Sequence, residues 1–178
     1  MRKLLTCLLM LSISAMLSAD PLNIAVRSLD IAMFKELIKN NPVNNATDSA
    51  GMTALHHACA LGAVEMTEEL LKLGADPKVC SNDGKNALHH AVNIEGLCLN
   101  PQPQEAGQTL CPLTIPLLLA SAGLVINAVD GNGETALHIA SRNGLVEVIA
   151  TLLQAGANPD CLNRQGETPL HLAGGSLP

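Results

Sequence analysis

The feature that most constrains this chain is a recurring pair of landmarks, a glycine followed five residues later by a histidine. The four pairs are Gly51 and His56, Gly84 and His89, Gly133 and His138, and Gly166 and His171, with separations of 33, 49 and 33 residues. A fixed period with matched landmarks is typical of stacked structural repeats. Because each repeat is too small to bury its own apolar face, neighbouring copies must pack against one another.

Residues 130–157 show what one repeat is expected to contain. Gly131 and Gly133 are expected to supply the positive φ angles of a tight turn, and Thr135 then stands where its hydroxyl can cap a starting helix. Gly144 interrupts the helical spacing, and a second amphipathic helix follows. Since each helix is too short to be stable alone in water, the pattern predicts that packing between repeats holds the fold together.

The hexapeptide that contains each histidine resembles the T-P-L-H-x-A motif of the ankyrin-repeat family. The four versions are TALHHA at Thr53–Ala58, NALHHA at Asn86–Ala91, TALHIA at Thr135–Ala140 and TPLHLA at Thr168–Ala173. The resemblance extends over nearly everything after residue 20 and implies an all-α ankyrin-repeat solenoid with projecting turns. We expect repeats at about 20–47, 48–80, 81–129 and 130–162, and a partial repeat at 163–178.

Residues 1–19 are expected to form a secretory signal peptide. Arg2 and Lys3 precede an apolar run from Leu4 to Leu17, and cleavage is expected after Ala19. A membrane anchor is the alternative, although the run is shorter than the roughly 20 apolar residues of a spanning helix. We therefore expect an exported protein, periplasmic or secreted, that meets the membrane only during export.

Composition narrows the class of partner. Loss of Arg2 and Lys3 from the 10 basic residues, with all 16 acidic residues retained, changes the formal charge from −6 to −8. An acidic chain is poorly suited to nucleic acid or an anionic membrane surface. Phe34 is the single aromatic residue, which also disfavours base stacking.

The third repeat carries an insertion, predicted at about residues 95–112, whose proline-rich composition is typical of a loop. Cys98 and Cys111 flank it, and in an exported chain we expect them to form a disulfide worth about 3 kcal/mol. The alternative is two unpaired thiols. Cys59 is expected to be a buried thiol, whereas Cys80 and Cys161 lie two repeats apart, too far to bridge each other. An odd cysteine remains, which leaves a mixed disulfide or a covalent dimer open.

The histidines invite a metal or catalytic interpretation. One histidine per repeat, stacked at about 8–10 Å, cannot share a zinc ion, because each ligand nitrogen must lie about 2 Å from the metal. We expect each imidazole to bond to the turn backbone of its own or an adjacent repeat. Cys59 with His56 is the one available nucleophile pair, and its position favours a core role. No metal, cofactor or small-molecule substrate is expected.

These observations favour a non-enzymatic protein–protein interaction module, an exported scaffold or adaptor with a protein partner. The alternatives are a secreted effector or inhibitor of another cell's protein and, less favoured, a metal-binding or hydrolytic protein using histidine and cysteine. The family resemblance implies that contacts come from the turn tips and the exposed ends of the first helices. In this sequence those residues are Ser49, Ala50, Met52, Ala60, Leu61, Asn82, Asp83, Lys85, Asn93, Ile94, Asn132, Glu134, Arg142, Asn143, Arg164, Gln165 and Glu167.

Overall fold

The structure, a computed structural model, describes residues 21–40, 46–93, 114–121 and 124–173. Within these ranges every regular element is a helix, and the chain forms α1 (Pro21–Arg27), α2 (Ile31–Asn40), α3 (Ala54–Ala60), α4 (Val64–Lys72), α5 (Ala87–Val92), α6 (Thr114–Ala120), α7 (Ala136–Arg142), α8 (Val146–Gln154) and α9 (Pro169–Ala173). The predicted all-α solenoid is confirmed. The predicted signal peptide, the whole of the predicted insertion at 95–112, which includes Cys98 and Cys111, and Ile94 lie outside the described residues.

The first helices of the three central repeats begin at the residues expected to cap them. Thr53, Asn86 and Thr135 each take an extended backbone conformation and form a capping box with the histidine three residues later. In the second repeat, the amide of Thr53 donates to Nδ1 of His56 (2.9 Å), while the amide of His56 donates to the threonine hydroxyl (3.4 Å). Such a box satisfies amides that would otherwise lack partners at the start of a helix.

The helices form two layers, because each of the first four repeats contributes a first and a second helix, while α9 of the fifth repeat joins the first-helix layer. The first helices pack side by side, α1 on α3, α3 on α5, α5 on α7 and α7 on α9. Ala58, Ala91 and Ala140 are buried in this layer, and their small side chains allow the close approach. Leu70 and Leu152 of the second helices are fully buried in the same core, and burial of a leucine side chain contributes about 1.5–3 kcal/mol.

The two glycines of the fourth turn are required for different reasons, and the expectation for Gly131 was wrong. Gly133 has a φ of 76°, as expected, but the φ of Gly131 is not positive. A Cβ atom at Gly131 would lie 2.8 Å from the carbonyl oxygen of Asp83 in the preceding turn. Glycine is therefore needed at 131 because a neighbouring repeat approaches closely, a feature that a single repeat's turn pattern does not reveal.

The connection between the helices of the first repeat contains an unusual residue. Leu29 has a φ of 53°, in the position where the second and fourth repeats have Gly62 and Gly144. The left-handed conformation costs a residue with a Cβ atom roughly 1–2 kcal/mol. Because 44% of the Leu29 surface is exposed, packing of its side chain offsets only part of this strain energy.

None of the helices in the described part of the chain combines the length and apolar character needed to cross a membrane.

Candidate protein-binding surface

Turns that project from the first-helix layer share one hydrogen-bonded geometry. In the fourth repeat, Oδ1 of Asp130 accepts hydrogen bonds from the amides of Asn132 (2.8 Å) and Glu134 (2.9 Å). The backbone amide of Asp130 in turn donates to the carbonyl of Glu134 (2.9 Å). The turns that begin at Asp48 and Asn163 have the same bonds. A carboxylate or amide side chain at the first turn position therefore fixes the loop from within.

Successive turns are also bonded to one another through the backbone. In each case the amide of the second turn residue donates to the carbonyl of the third residue of the preceding turn. The pairs are Asn82 to Ala50 (3.0 Å), Gly131 to Asp83 (2.7 Å) and Arg164 to Asn132 (3.0 Å). We call this series the turn ladder. It links the second, third, fourth and fifth turns in register, so the array presents its tips as one continuous edge.

Most of the residues predicted to contact a partner are accessible in the structure. The exposed ones are Ser49, Ala50, Asn82, Asp83, Asn132, Arg142, Arg164 and Gln165, and the half-buried ones are Met52, Ala60, Leu61, Lys85, Asn93, Asn143 and Glu167. The exposed members lie chiefly at the turn tips, beside the ladder. Side chains there are available to a partner while their backbone is held by neighbouring repeats.

Glu134 departs from the expectation of an exposed contact residue. Only 5% of its surface is exposed, because both of its carboxylate oxygens bond to the guanidinium of Arg142 at the end of α7. The bonds to Glu134 raise the pKa of Arg142 further above its usual value. The pair joins a turn to its own first helix, and the eight-residue separation explains why a turn pattern alone does not reveal it.

The charge at the third turn is fixed by local bonds. Burial opposes ionisation of Asp83, but hydrogen bonds from Ser81 and Lys85 outweigh it and hold the pKa of the carboxyl at about 2. The Lys85 Nζ lies 3.2 Å from Oδ2 of Asp83. Because half of the Asp83 side chain is accessible, this tip carries an exposed carboxylate that is ionised at neutral pH.

The histidines of the repeated motif bond to backbone, as the sequence indicated. His138 accepts from the amide of Thr135 through Nδ1 (3.1 Å), and its Nε2 lies 3.1 Å from the carbonyl of Glu167 in the next turn. His89 has the corresponding bond to the carbonyl of Glu134 (3.0 Å). Through these contacts with the carbonyls of Glu134 and Glu167, each imidazole bridges one repeat to the next.

Cys59 and His56, the candidate nucleophile pair, both have structural roles. Cys59 is fully buried, and burial raises the pKa of its thiol to about 12, which disfavours the thiolate that a nucleophile requires. Both ring nitrogens of His56 are bonded, to the amide of Thr53 and to the carbonyl of Val79. Over the described ranges, no three His, Cys, Asp or Glu side chains lie together as metal ligands would. Cys59, Cys80 and Cys161 are unbridged.

Comparison with known proteins agrees with this architecture. A family model described as ankyrin repeats in three copies matches residues 21–99 and 108–176. The chain is 34% identical over 149 residues to neurogenic locus notch homolog protein 1 of Xenopus tropicalis, and 32% identical over 149 residues to the Homo sapiens protein. Each alignment covers 74% of this chain but 6% of the relative, so the chain spans a small part of these proteins.

The family match covers most of the sequence, and the described helices and caps have the arrangement that the repeated motif predicted. Ankyrin repeats are protein–protein interaction modules. The chain belongs to the ankyrin-repeat family.

Proposed function

We propose that this chain is exported and binds a protein partner with the exposed turn tips and the adjoining ends of its first helices. The observation that carries the proposal is the turn ladder, which holds the exposed tips in register through backbone bonds. A surface fixed before binding loses less conformational entropy when a partner docks. The tips therefore form a preorganised platform.

The chemistry of the tips indicates the kind of partner. Their exposed side chains are mainly polar, with hydrogen-bonding groups at Ser49, Asn82 and Asn132, a carboxylate at Asp83 and a guanidinium at Arg164. Such a surface suits the polar side chains and free backbone groups of a protein segment laid along the tips. Large aromatic anchors are missing from it, so affinity must come from many polar contacts and from electrostatic fit.

The binding surface can be tested with two matched triple variants. The tip variant is Ser49→Arg, Asn132→Arg and Gln165→Arg, since these exposed side chains make no hydrogen bond among the described residues. The control variant is Ala150→Arg, Gln154→Arg and Ala155→Arg, which adds the same residue type at exposed positions of the second-helix layer. Both variants should keep the helical circular dichroism of the wild-type protein.

A protein that the wild type captures from its native compartment should bind the tip variant about tenfold or more weakly, equivalent to about 1.4 kcal/mol. Its affinity for the control variant should stay within about twofold of wild type. Equal weakening by the two variants, or weakening by the control alone, would place the interface away from the tips. The captured protein also separates a resident scaffold or adaptor from an effector, because the effector's target belongs to another cell.

Export is supported by the sequence of residues 1–19 and requires its own test. The exported protein should begin at Asp20, as measured by N-terminal sequencing and intact mass. A membrane-bound chain that retains residues 1–19 would support the anchor instead.

The proposed compartment also favours a disulfide between Cys98 and Cys111, which bracket the insertion in the third repeat. Peptide mapping of the non-reduced exported protein should recover the two cysteines as one linked pair. Two alkylatable thiols at these positions would refute the bridge.

A further inference from the structure

Two histidine rings meet across the contact between the second and third repeats. His56 lies on α3 and His90 on α5, and their ring centroids are 5.1 Å apart at an interplanar angle of 69°. His56 is buried and His90 is half-buried. The pair belongs to two different positions of the repeated motif, so the simple stacking of equivalent histidines does not produce it.

We propose that the contact between the second and third repeats is an acid-sensitive joint, which loosens below neutral pH while the contact between the fourth and fifth repeats stays closed. The inference concerns the array itself, and it goes beyond the proposed binding function because it holds for any partner.

His56 cannot accept a second proton without losing a bond. Its Nδ1 accepts from the amide of Thr53 (2.9 Å), and its Nε2 donates to the carbonyl of Val79 (2.9 Å). An added proton would sit on Nδ1 and face the amide proton of Thr53, which is also a donor. Protonation would therefore break the capping box of α3, and burial accordingly lowers the pKa of His56.

The third turn favours a neutral His90 ring with its proton on Nε2, the same form that the bonds of His56 favour. Its Nε2 lies 3.3 Å from the hydroxyl of Ser81, and that hydroxyl faces the carboxylate of Asp83 and the carbonyl of Lys85. Because the single hydroxyl proton goes to one of those acceptors, His90 must donate to the hydroxyl oxygen. Burial, and then the neighbouring His56, lower the pKa of His90 to about 4. A charge on either ring would repel a charge on the other.

The other charged groups near His90 shift its pKa in opposite directions. Asp83 favours a protonated ring, whereas Lys85 of the same turn and His89 of α5 oppose it. Helix α7, which packs on α5, contributes His138 and Arg142, and Arg142 is paired with Glu134. Helix α6 (TIPLLLA) has no titratable side chain.

The second repeat has a further half-buried histidine, His57, beside His56 on α3. Nε2 of His57 lies 2.9 Å from Oδ2 of Asp48. Burial lowers the pKa of His57 even with this partner, and Arg27 on α1 acts in the same direction. The acids of α4 face elsewhere, since they pair with lysines at exposed positions: Glu65 with Lys35, and Glu68 and Glu69 with Lys72.

The direction of the pH effect follows from these shifts. The lowered pKa values of His56, His57, His89 and His90 mean that the unfolded or opened chain binds protons more tightly than the closed one. Stability is fully present above the unfolded pKa of 6.5, falls as the pH drops below it, and stops falling below the folded pKa, which is about 4 for His90. Helix α9 (PLHLA) has Leu172 in the position of His90, so the contact between the fourth and fifth repeats lacks the paired rings.

Amide exchange across two ladder bonds tests the joint. The amide of Asn82 bonds across the second and third turns, and that of Arg164 across the fourth and fifth. Between pH 7.0 and pH 5.0, the protection factor at Asn82 should fall about tenfold or more, and that at Arg164 should fall less than about twofold. Equal changes at the two amides, or no change at Asn82, would overturn the proposal.

Two variants test whether His90 causes the fall in protection at Asn82. His90→Gln keeps a side chain that can donate to Ser81 but cannot titrate, and His90→Ile copies the residue of the fourth repeat. In His90→Gln, the fall at Asn82 should shrink to less than about half of its logarithmic wild-type value. An unchanged fall would overturn the assignment, and the same criterion applied to His90→Ile decides the matter if the glutamine variant does not fold.

Discussion

The two edges of the array are built on different principles. On the turn side, each turn touches the next, and a Cβ atom at Gly84 would lie 2.9 Å from the amide nitrogen of Gly131. On the opposite side, where a connection joins the two helices of one repeat, a Cβ atom at Gly144 would have no atom within 4 Å. The turn side thus carries contacts between repeats, while the connections are shaped within single repeats.

This difference explains where the chain departs from its period. The predicted insertion lies between α5 and α6, which is a connection between helices, and Leu29 replaces glycine in another such connection. A change there affects only the repeat that contains it. On the turn side, by contrast, an added atom at one residue displaces two repeats, which is why the same turn geometry recurs with little change.

The largest effect is expected when a methyl group is added inside the ladder. Gly84→Ala introduces a left-handed alanine and a contact with the backbone of Asp130 and Gly131, so it should lower the free energy of unfolding by about 2–4 kcal/mol. Gly166 has the same turn position and a φ of 77°, but a Cβ atom there would meet nothing within 4 Å. Gly166→Ala should therefore cost about 1 kcal/mol.

Gly131→Ala isolates the contact alone, because Gly131 lacks a positive φ and still lies against Asp83. It should cost about 1–3 kcal/mol in urea unfolding. Equal losses for Gly84→Ala and Gly166→Ala would mean that the ladder contact adds nothing beyond backbone strain.

A second comparison separates a bridging histidine from a capping one. His138 is fully buried and reaches the carbonyl of Glu167 in the next turn, so His138→Ala should lower the free energy of unfolding by about 2–3 kcal/mol. His171 caps α9 through the same bond to Thr168, but it is exposed. His171→Ala should cost about 1 kcal/mol, as expected for a lost cap. Similar urea midpoints for the two variants would contradict a bridging role.

The smallest change is expected on the connection side. Leu29→Gly removes the strain of a left-handed leucine but increases the entropy of the unfolded chain. We therefore expect the free energy of unfolding to rise by about 0.5–1 kcal/mol. Leu29→Ala is the control, because it shortens the side chain and retains the strain. Thermal unfolding should rank the glycine variant above wild type, and a glycine variant less stable than the alanine variant would show that Leu29 contributes packing rather than strain.

The sequence predicted features that depend on residues a few positions apart and missed features that depend on more distant contacts. Thr135 is predicted to be a cap, and Thr53 and Asn86 hold the same place in their repeats, because a capping residue acts on amides a few positions away. Burial of Glu134 depends on Arg142 eight residues further along, and the contact between His56 and His90 depends on how α3 packs on α5. The period of the landmarks shows that repeats stack, but it does not give the offset at which neighbouring side chains and turn amides meet.

The most direct test of the turn ladder is hydrogen exchange at neutral pH, measured at its three donor amides and at the equivalent amide of Ser49. Asn82, Gly131 and Arg164 each donate to the preceding turn, whereas Ser49 holds the same place in the first turn of the series and has no preceding turn among the described residues. A net hydrogen bond is worth about 1 kcal/mol, so the three ladder amides should exchange about five- to tenfold or more slowly than Ser49 after correction for intrinsic rates. Equal protection at all four amides would contradict the claim that neighbouring repeats hold the turn tips in place.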